Sequence, residues 1–566
     1  MHIRLALVFV LTCAGCTQPT EPGNPVDAVF TNGAFYTMDA EQPWAEAIAV
    51  RGERIALVGS NEQAASMAGA ETHIVDLGGR FVLPGLHDAH VHTQMVAEFD
   101  ANLSVDPDQP WPAIAEAIRQ RAAQHPGQTW ILGGNLPWLS EQIGDNAELP
   151  AHRSVLDALA PNHAVALWDI GGHAMLASSK ALELAGISQQ TEDPPGGTIE
   201  RDANGMPTGV LRELATNLIL ENAPPLAVAD YEQRMSLAFE RLASFGITSV
   251  HEAWVFPRTL EALRGLDTAG RLPVRVSAAI AHPEEFTTPA AKAAARDTLD
   301  QVPFEGDRLH ARYTKFVLDG SAGGQTMVLV DPYVGTDFHG HWRNNPETVI
   351  KEVVGLHGLG VGSMLHAVGD GAVRLALDAI ERAIEVHGDN GTRHIIAHTV
   401  FVNPEDLARF AKLGVIAEFS PYFWWPTDAL SLVEAELGEE RLEWGFPVAP
   451  LLADGVRGAA GSDWPVVFDP NPFPAIEALV TRAVPGGSNE TFAARHAIAL
   501  NQALELFTRG GAWLMHTEDD SGSLEVGKWA DFAVLDRNLF ETPTKEIHQT
   551  RAEMTVVGGE VVFDGR

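Results

Sequence analysis

Cysteine is nearly absent. The 566 residues hold 2, Cys13 and Cys16, both close to the start. No thiol remains downstream, so a disulfide framework is excluded, and any metal must be held by imidazole and carboxylate. The two form a Cys-x-x-Cys, but outside any βαβ context that a redox motif needs. Positive charge is also scarce: 38 Lys and Arg stand against 75 Asp and Glu, a formal net charge of −37. That disfavours nucleic acid as a partner, because phosphate binding requires a basic surface. There is no long acidic block either, so the excess reads as solubilising surface charge. Long apolar runs are missing: Leu5 to Thr12 is too short to span a bilayer.

That short run carries its own message. Arg4 precedes it, Cys13-Ala14-Gly15-Cys16 follows, and Thr17 to Pro25 is polar and Pro-rich. This is the pattern of a signal peptide. Small residues before Cys16 predict a bacterial lipoprotein cleavage site with Cys16 lipidated, although Cys13 stands where Leu is usual. The expectation is an exported, periplasmic lipoprotein whose membrane contact is that anchor alone.

What the chain has is a globular composition, 45% hydrophobic, and a length that calls for one large domain plus a smaller one. Ala28 to Met38, Ala47 to Gly59 and Thr72 to Leu77 read as strands. Asp531 to Leu535 and Met554 to Phe563 repeat that texture, the latter broken by the turn signal Gly558-Gly559. Neither end makes a full sheet, so the two are expected to pair into one small β-sandwich. Between them strands and helices alternate, which signals a parallel α/β sheet. Strands are expected near Phe81–His92, Thr248–Glu252, Val274–Ile280, Tyr313–Asp319, Gly362–His366, His394–His398, Val415–Ser420 and Gly458–Asp463. Val373, Leu377, Ile380 and Ile384 follow helical spacing, as do Leu407, Phe410 and Leu413. The gap of about 150 residues after the first strand exceeds any ordinary loop. It must be an insertion, here placed at about 100–240. Within it Pro194 to Gly205 reads as a hairpin or flap. The domain expectation is a leader and linker over 1–25, sandwich over 26–80 and 516–566, and barrel over 81–515.

The chemistry lies at strand ends. His90 and His92 close the run Val82-Leu83-Pro84-Gly85-Leu86-His87-Asp88-Ala89-His90-Val91-His92. Residues i and i+2 of a strand share a face, so two imidazoles can grip one ion. Lys315, His366, His398 and Asp463 each end or lie within a later apolar run. That is how a barrel strand delivers a side chain to its carboxyl-end face.

This set, in this order, resembles the amidohydrolase superfamily, in its YtcJ-like branch with the N-substituted formamide deformylases. The resemblance runs from about Val26 to Arg566. It implies a (β/α)8 TIM-like metallo-hydrolase barrel, an α/β fold, with the composite β-sandwich and an insertion after barrel strand 1. It implies His-x-His on strand 1, Lys on strand 4, His on strands 5 and 6, and Asp on strand 8. His90, His92 and Asp463 suit one divalent metal and His366 and His398 a second. Zinc is the expected ion given nitrogen-rich ligation without sulfur, with Mn, Fe or Co as alternatives. Lys315 reads in two ways: a carbamate that bridges metals, as the resemblance implies, or a plain ammonium paired with Asp319 or Asp370.

Asp463 can touch the metal and also move the water's proton to the leaving nitrogen, with His366 and His398 completing the catalytic set. The alternative for an Asp after Gly-Ser is a helix N-cap. His173, in a Gly-Gly-His segment of the insertion, is a candidate for the substrate carbonyl or a turn histidine. Trp424 and Trp425 are candidates for a substrate-binding aromatic wall, or core. Asp88 orients a strand 1 histidine or closes a turn. Three functions compete: hydrolysis of a non-peptide C–N bond in a small molecule, hydrolysis of an ester, carbamate or dipeptide on the same scaffold, and a non-catalytic metal- or solute-binding lipoprotein. A homo-oligomer stays open.

Overall fold

The computed structural model describes residues 25–101, 103–105, 109–136, 151–169, 172–321, 325–424 and 428–566. Cys16 and the rest of the expected leader, and Trp425, lie outside them.

Eight parallel strands form the centre: β1 (Leu86–Val91), β2 (Ile247–Val255), β3 (Arg275–Ala281), β4 (Leu309–Val317), β5 (Gly362–His366), β6 (Ile395–Ala397), β7 (Ile416–Phe419) and β8 (Gly458–Ala460). They pair in chain order. The ring closes just past β8, where Val91 bridges Trp464 in parallel and the His92 N–H donates to the Trp464 carbonyl at 2.8 Å. Both faces of most of these strands are buried, which is why β6 and β8 read as runs of apolar or small residues rather than alternating ones. Inward-facing Ala89, Ala253, Ala279, Ala397 and Ala459 surround Tyr313 and Met364, and Leu514 and Met515 join the same cluster. The interior is a packed core, not a pore.

The helical periodicity seen in the sequence is realised. Val373, Leu377 and Ile380 are buried on a helix spanning Asp370–His387, between β5 and β6. Phe410 is buried on the shorter Leu407–Leu413.

One boundary moves. The expected first strand, Phe81–His92, is two strands broken at Gly85. Phe81–Pro84 pairs with Phe532–Leu535 and Ala34–Tyr36, in a six-stranded sheet built from both chain ends. Leu86–Val91 enters the barrel. Gly85 is required at the crossing, because a Cβ there would sit 2.0 Å from Thr248 Oγ1. A second sheet, of four strands from Val26 to Asp76, faces the first across Phe30, Ile48, Val50, Phe532 and Val556. The segment between β1 and β2 carries its own six-stranded sheet, ending in the antiparallel hairpin Gly197–Arg201 with Pro207–Glu213. That hairpin falls where the Pro/Gly-rich stretch predicts one.

Candidate metal centre and its chamber

The carboxyl ends of the barrel strands converge residues more than 300 positions apart. Asp463 Oδ1 lies 3.1 Å from His92 Nε2 and 3.6 Å from His90 Nε2. Ligand atoms of these three residues fall within 4.8 Å of one another. The His398 ring is 4.6 Å from that of His90 and 4.6 Å from that of His366. Lys315 Nζ lies 3.4 Å from His90 Nε2. All six are buried, yet all line one cavity.

The strand ends are shaped for this. His398 (φ 68°) and Asp463 (φ 61°) adopt left-handed backbone, as the chain turns sharply out of β6 and β8. Such conformations in non-glycine residues cost energy and persist where the surroundings impose them. Gly461 supplies the room: a Cβ there would lie 2.5 Å from His90 Cβ. Asp88 stitches the two ends together, accepting from the Ser462 N–H at 2.8 Å and the His90 N–H at 3.2 Å. It acts on backbone rather than on an imidazole ring. Burial pushes its carboxyl up to about 7.

Glu418 on β7 is a residue the sequence reading missed. Its Oε2 accepts from the His398 N–H at 2.9 Å and lies 2.9 Å from His90 Nδ1. An oxygen already accepting takes the imidazole N–H as well, so the lone pair of His90 sits on Nε2, facing the chamber. Outer carboxylates commonly fix metal-ligating histidines in this way. Its sequence signal was a charged residue inside an otherwise apolar, fully buried strand. His398 Nδ1 is similarly held, 3.0 Å from Ser420 Oγ.

Burial holds His90 and His366 well below the usual imidazole range and His398 at about 3. Neutral imidazole is the form that binds metal. Burial alone would raise Asp463, but the His92 hydrogen bond and the nearby Lys315 ammonium hold it low, as a carboxylate. Burial draws Lys315 down to about 8. The alternative pairing of Lys315 is not formed: Asp319 accepts the N–H groups of Val328, Val368 and Gly369, and Asp370 that of Val330. His90, His366 and His398, whose imidazoles burial keeps neutral, converge with the Asp463 carboxylate, and the Nε2 atoms of His90 and His92 face its Oδ1, a donor set that fits a divalent metal.

The insertion closes the chamber. His173 lines it, with its ring 5.4 Å from that of His366. His173 Nδ1 lies 3.0 Å from Glu213 Oε2, which also accepts from Arg343 Nη1 at 2.9 Å. Arg343 Nε reaches Glu285 Oε2 at 3.2 Å. Burial would raise Glu213, but His173 and Arg343 hold it at about 2. Glu213, Glu285 and Arg343 were not singled out in the sequence, because each pairs with a residue far away in the chain.

One expectation is corrected. Trp424 does not line the chamber. It is fully buried, 5.5 Å from the Phe419 ring and 5.0 Å from the Phe446 ring. Its 3-10 turn, Pro421–Phe423, points it into the core rather than across the barrel mouth. The aromatic lining comes instead from Trp168, Trp254 and Phe256. His87, His310 and His394 are structural: His87 Nδ1 lies 3.1 Å from the Gly85 carbonyl, His310 Nε2 2.8 Å from the Met515 carbonyl and His394 Nε2 3.0 Å from His357 Nδ1.

A closed parallel barrel with these side chains at its carboxyl mouth defines a metal-dependent hydrolase. The chain belongs to the amidohydrolase family, whose model matches residues 73–563. The N-substituted formamide deformylase of Arthrobacter pascens is 28% identical, over 95% of this chain and 98% of its own. YtcJ of Bacillus subtilis is 28% identical, over 95% and 99%. An uncharacterized metal-dependent hydrolase from Pyrococcus furiosus superposes with a TM-score of 0.69 at 27% identity, covering 90% of this chain and 99% of that one. The protein is thus a metal-dependent hydrolase of carbon–nitrogen bonds other than peptide bonds.

Proposed function

We propose that the substrate is a small N-substituted amide, with a short acyl group held at the strand-end cluster and an apolar N-substituent in a neighbouring chamber. The observation that carries this is a contrast of sizes. The space over the cluster is about 90 Å³, and it adjoins one of about 530 Å³. Glu98, Trp168, Leu220 and Phe256 line both, and Trp130, Phe99 and Phe286 line the larger. The name of the Arthrobacter relative, a deformylase of N-substituted formamides, points the same way.

In this reading His90, His92 and Asp463 hold one zinc ion and His366 and His398 a second. Lys315, buried and in no direct ion pair with a described carboxylate, serves as a carbamate ligand. Bound there, the metal supplies a water that ionises near neutral pH and polarises the amide carbonyl. Asp463 accepts the proton of the attacking water and returns it to the leaving nitrogen. His173, steadied by Glu213, faces the carbonyl oxygen, and the insertion excludes bulk water. The amine leaves through the larger chamber.

Paired substrate series test this. Turnover efficiency should rise as the N-substituent grows from methyl to aryl-alkyl, and fall as the acyl group grows from formyl to butyryl. The reverse pattern, or a preference for esters or dipeptides, overturns the reading. Lys315→Ala should lose metal, with partial rescue by short carboxylic acids.

The leader reading is likewise our proposal: export, with lipidation at Cys16, supported by Arg4, the Leu5 to Thr12 run and the small residues Ala14 and Gly15. Cys16→Ser should shift the exported protein from the membrane to the soluble fraction.

A further inference from the structure

Arg482 is fully buried, and it stands outside the chamber just described. It caps the helix Pro472–Thr481 in left-handed backbone, φ 57°. Its Nε donates to the Phe492 carbonyl at 3.1 Å. Nη1 and Nη2 are buried and have no acceptor among the described residues. Three rings surround the guanidinium: Trp424 at 4.9 Å from Cζ, and Phe446 and Phe492 at 5.8 Å each. They shield the charge but offer no acceptor to its N–H groups.

Two neighbours share the deficit. The Trp424 indole Nε1 is buried without an acceptor among the described residues. His496 Nε2 accepts from Arg495 Nε at 3.3 Å, which leaves the proton on Nδ1. That Nδ1 is also buried and has no partner among the described residues. Every unsatisfied atom of this cluster is therefore a donor, and Arg482 makes no ion pair with a described carboxylate. An unpaired buried charge is among the costliest arrangements in a protein interior. Burial draws the guanidinium down to about 9, which still leaves it cationic at neutral pH.

We propose that Arg482 is the centre of a buried site for a small monovalent anion, a halide or a small carboxylate, with the Trp424 and His496 N–H groups as further donors. The site would tie the segment after β7 to the segments that follow β8. The chemistry asks for a compact acceptor with no proton to give, which water supplies less well than an anion.

The test uses the whole protein. Crystals soaked in bromide should show an anomalous peak within hydrogen-bond reach of the Arg482 Nη atoms. The melting temperature should rise saturably with sodium chloride, and not with sodium gluconate at equal ionic strength. Arg482→Met, which keeps an apolar stem beside the rings, should abolish that difference. Formate in place of bromide separates the two sources: stabilisation by formate alone marks a carboxylate site, and by bromide a halide site. Equal melting temperatures in all salts overturn the proposal, as do ordered waters on both Nη atoms. A bromide peak with no change in melting temperature marks an adventitious ion only and also overturns it. If Arg482→Met does not fold, the wild-type salt comparison and the anomalous map decide alone.

Discussion

Asp463 is where ligation and proton transfer meet, and a single substitution separates them. Asn keeps the shape and one carbonyl oxygen, but it cannot accept a proton at neutral pH. Asp463→Asn should retain much of the metal while turnover falls roughly 10²–10⁴-fold, the usual worth of a positioned acid–base group. Metal content and turnover measured on the same sample check this. A metal-loaded variant with near-normal turnover would leave Asp463 as a ligand only. The residue itself was legible in the sequence, since Gly461-Ser462-Asp463 closes an apolar run. Its partner through His90, Glu418, was not, because the contact spans 328 positions.

At the scale of the element, the site depends on how closely β8 approaches β1. Gly461 holds that approach, with only 2.5 Å between its virtual Cβ and His90. The neighbour in contact is backbone and Cβ, which cannot swing aside. Gly461→Ala should destabilise the fold by about 1–3 kcal/mol, the usual cost of forcing atoms into a packed interior. It should also lower metal occupancy by displacing His90. Urea unfolding and metal analysis together check both parts, and an alanine variant with unchanged stability and metal would refute the close approach. The β5–β6 helix was readable from its periodicity alone. The break at Gly85 was not: nothing local distinguishes an end-sheet strand from a barrel strand when both are apolar.

Across the whole molecule, acid stability reflects buried neutral histidines against buried carboxylates of raised pKa, which act in opposite directions. His394 isolates one contribution. Its Nδ1 accepts from the Ser363 N–H at 3.1 Å, and it lies 3.0 Å from His357. Burial lowers it to about 3 from 6.5. The unfolded chain therefore binds this proton below about pH 6.5, and the folded chain does not until about pH 3. Its contribution is present above pH 6.5 and is lost as pH falls through that window. Asn offers an oxygen in place of Nδ1 and does not titrate. Unfolding free energies of His394→Asn should thus fall less steeply than wild type between pH 6.5 and 4. The expected difference is roughly 1.4 kcal/mol per pH unit. Parallel slopes would show that His394 is protonated in the folded state.

The sequence by itself determined the alternating α/β elements, the composite end sheets and the insertion, while the (β/α)8 barrel and the joint role of the six site residues came with the family resemblance. The elements are written locally, in the period of apolar residues and in Gly and Pro punctuation, and most of the candidate site residues in the one polar residue that closes a run. Tertiary structure alone decided which carboxylate backs which histidine, that Lys315 is left without Asp319, and that Trp424 turns to the core while Trp168, Trp254 and Phe256 face the chamber. It also decided that Arg482 is buried among donors. The physical reason is the same throughout: side-chain pairing and burial depend on distances closed by the fold, and a linear spacing does not encode the distance between residues hundreds of positions apart.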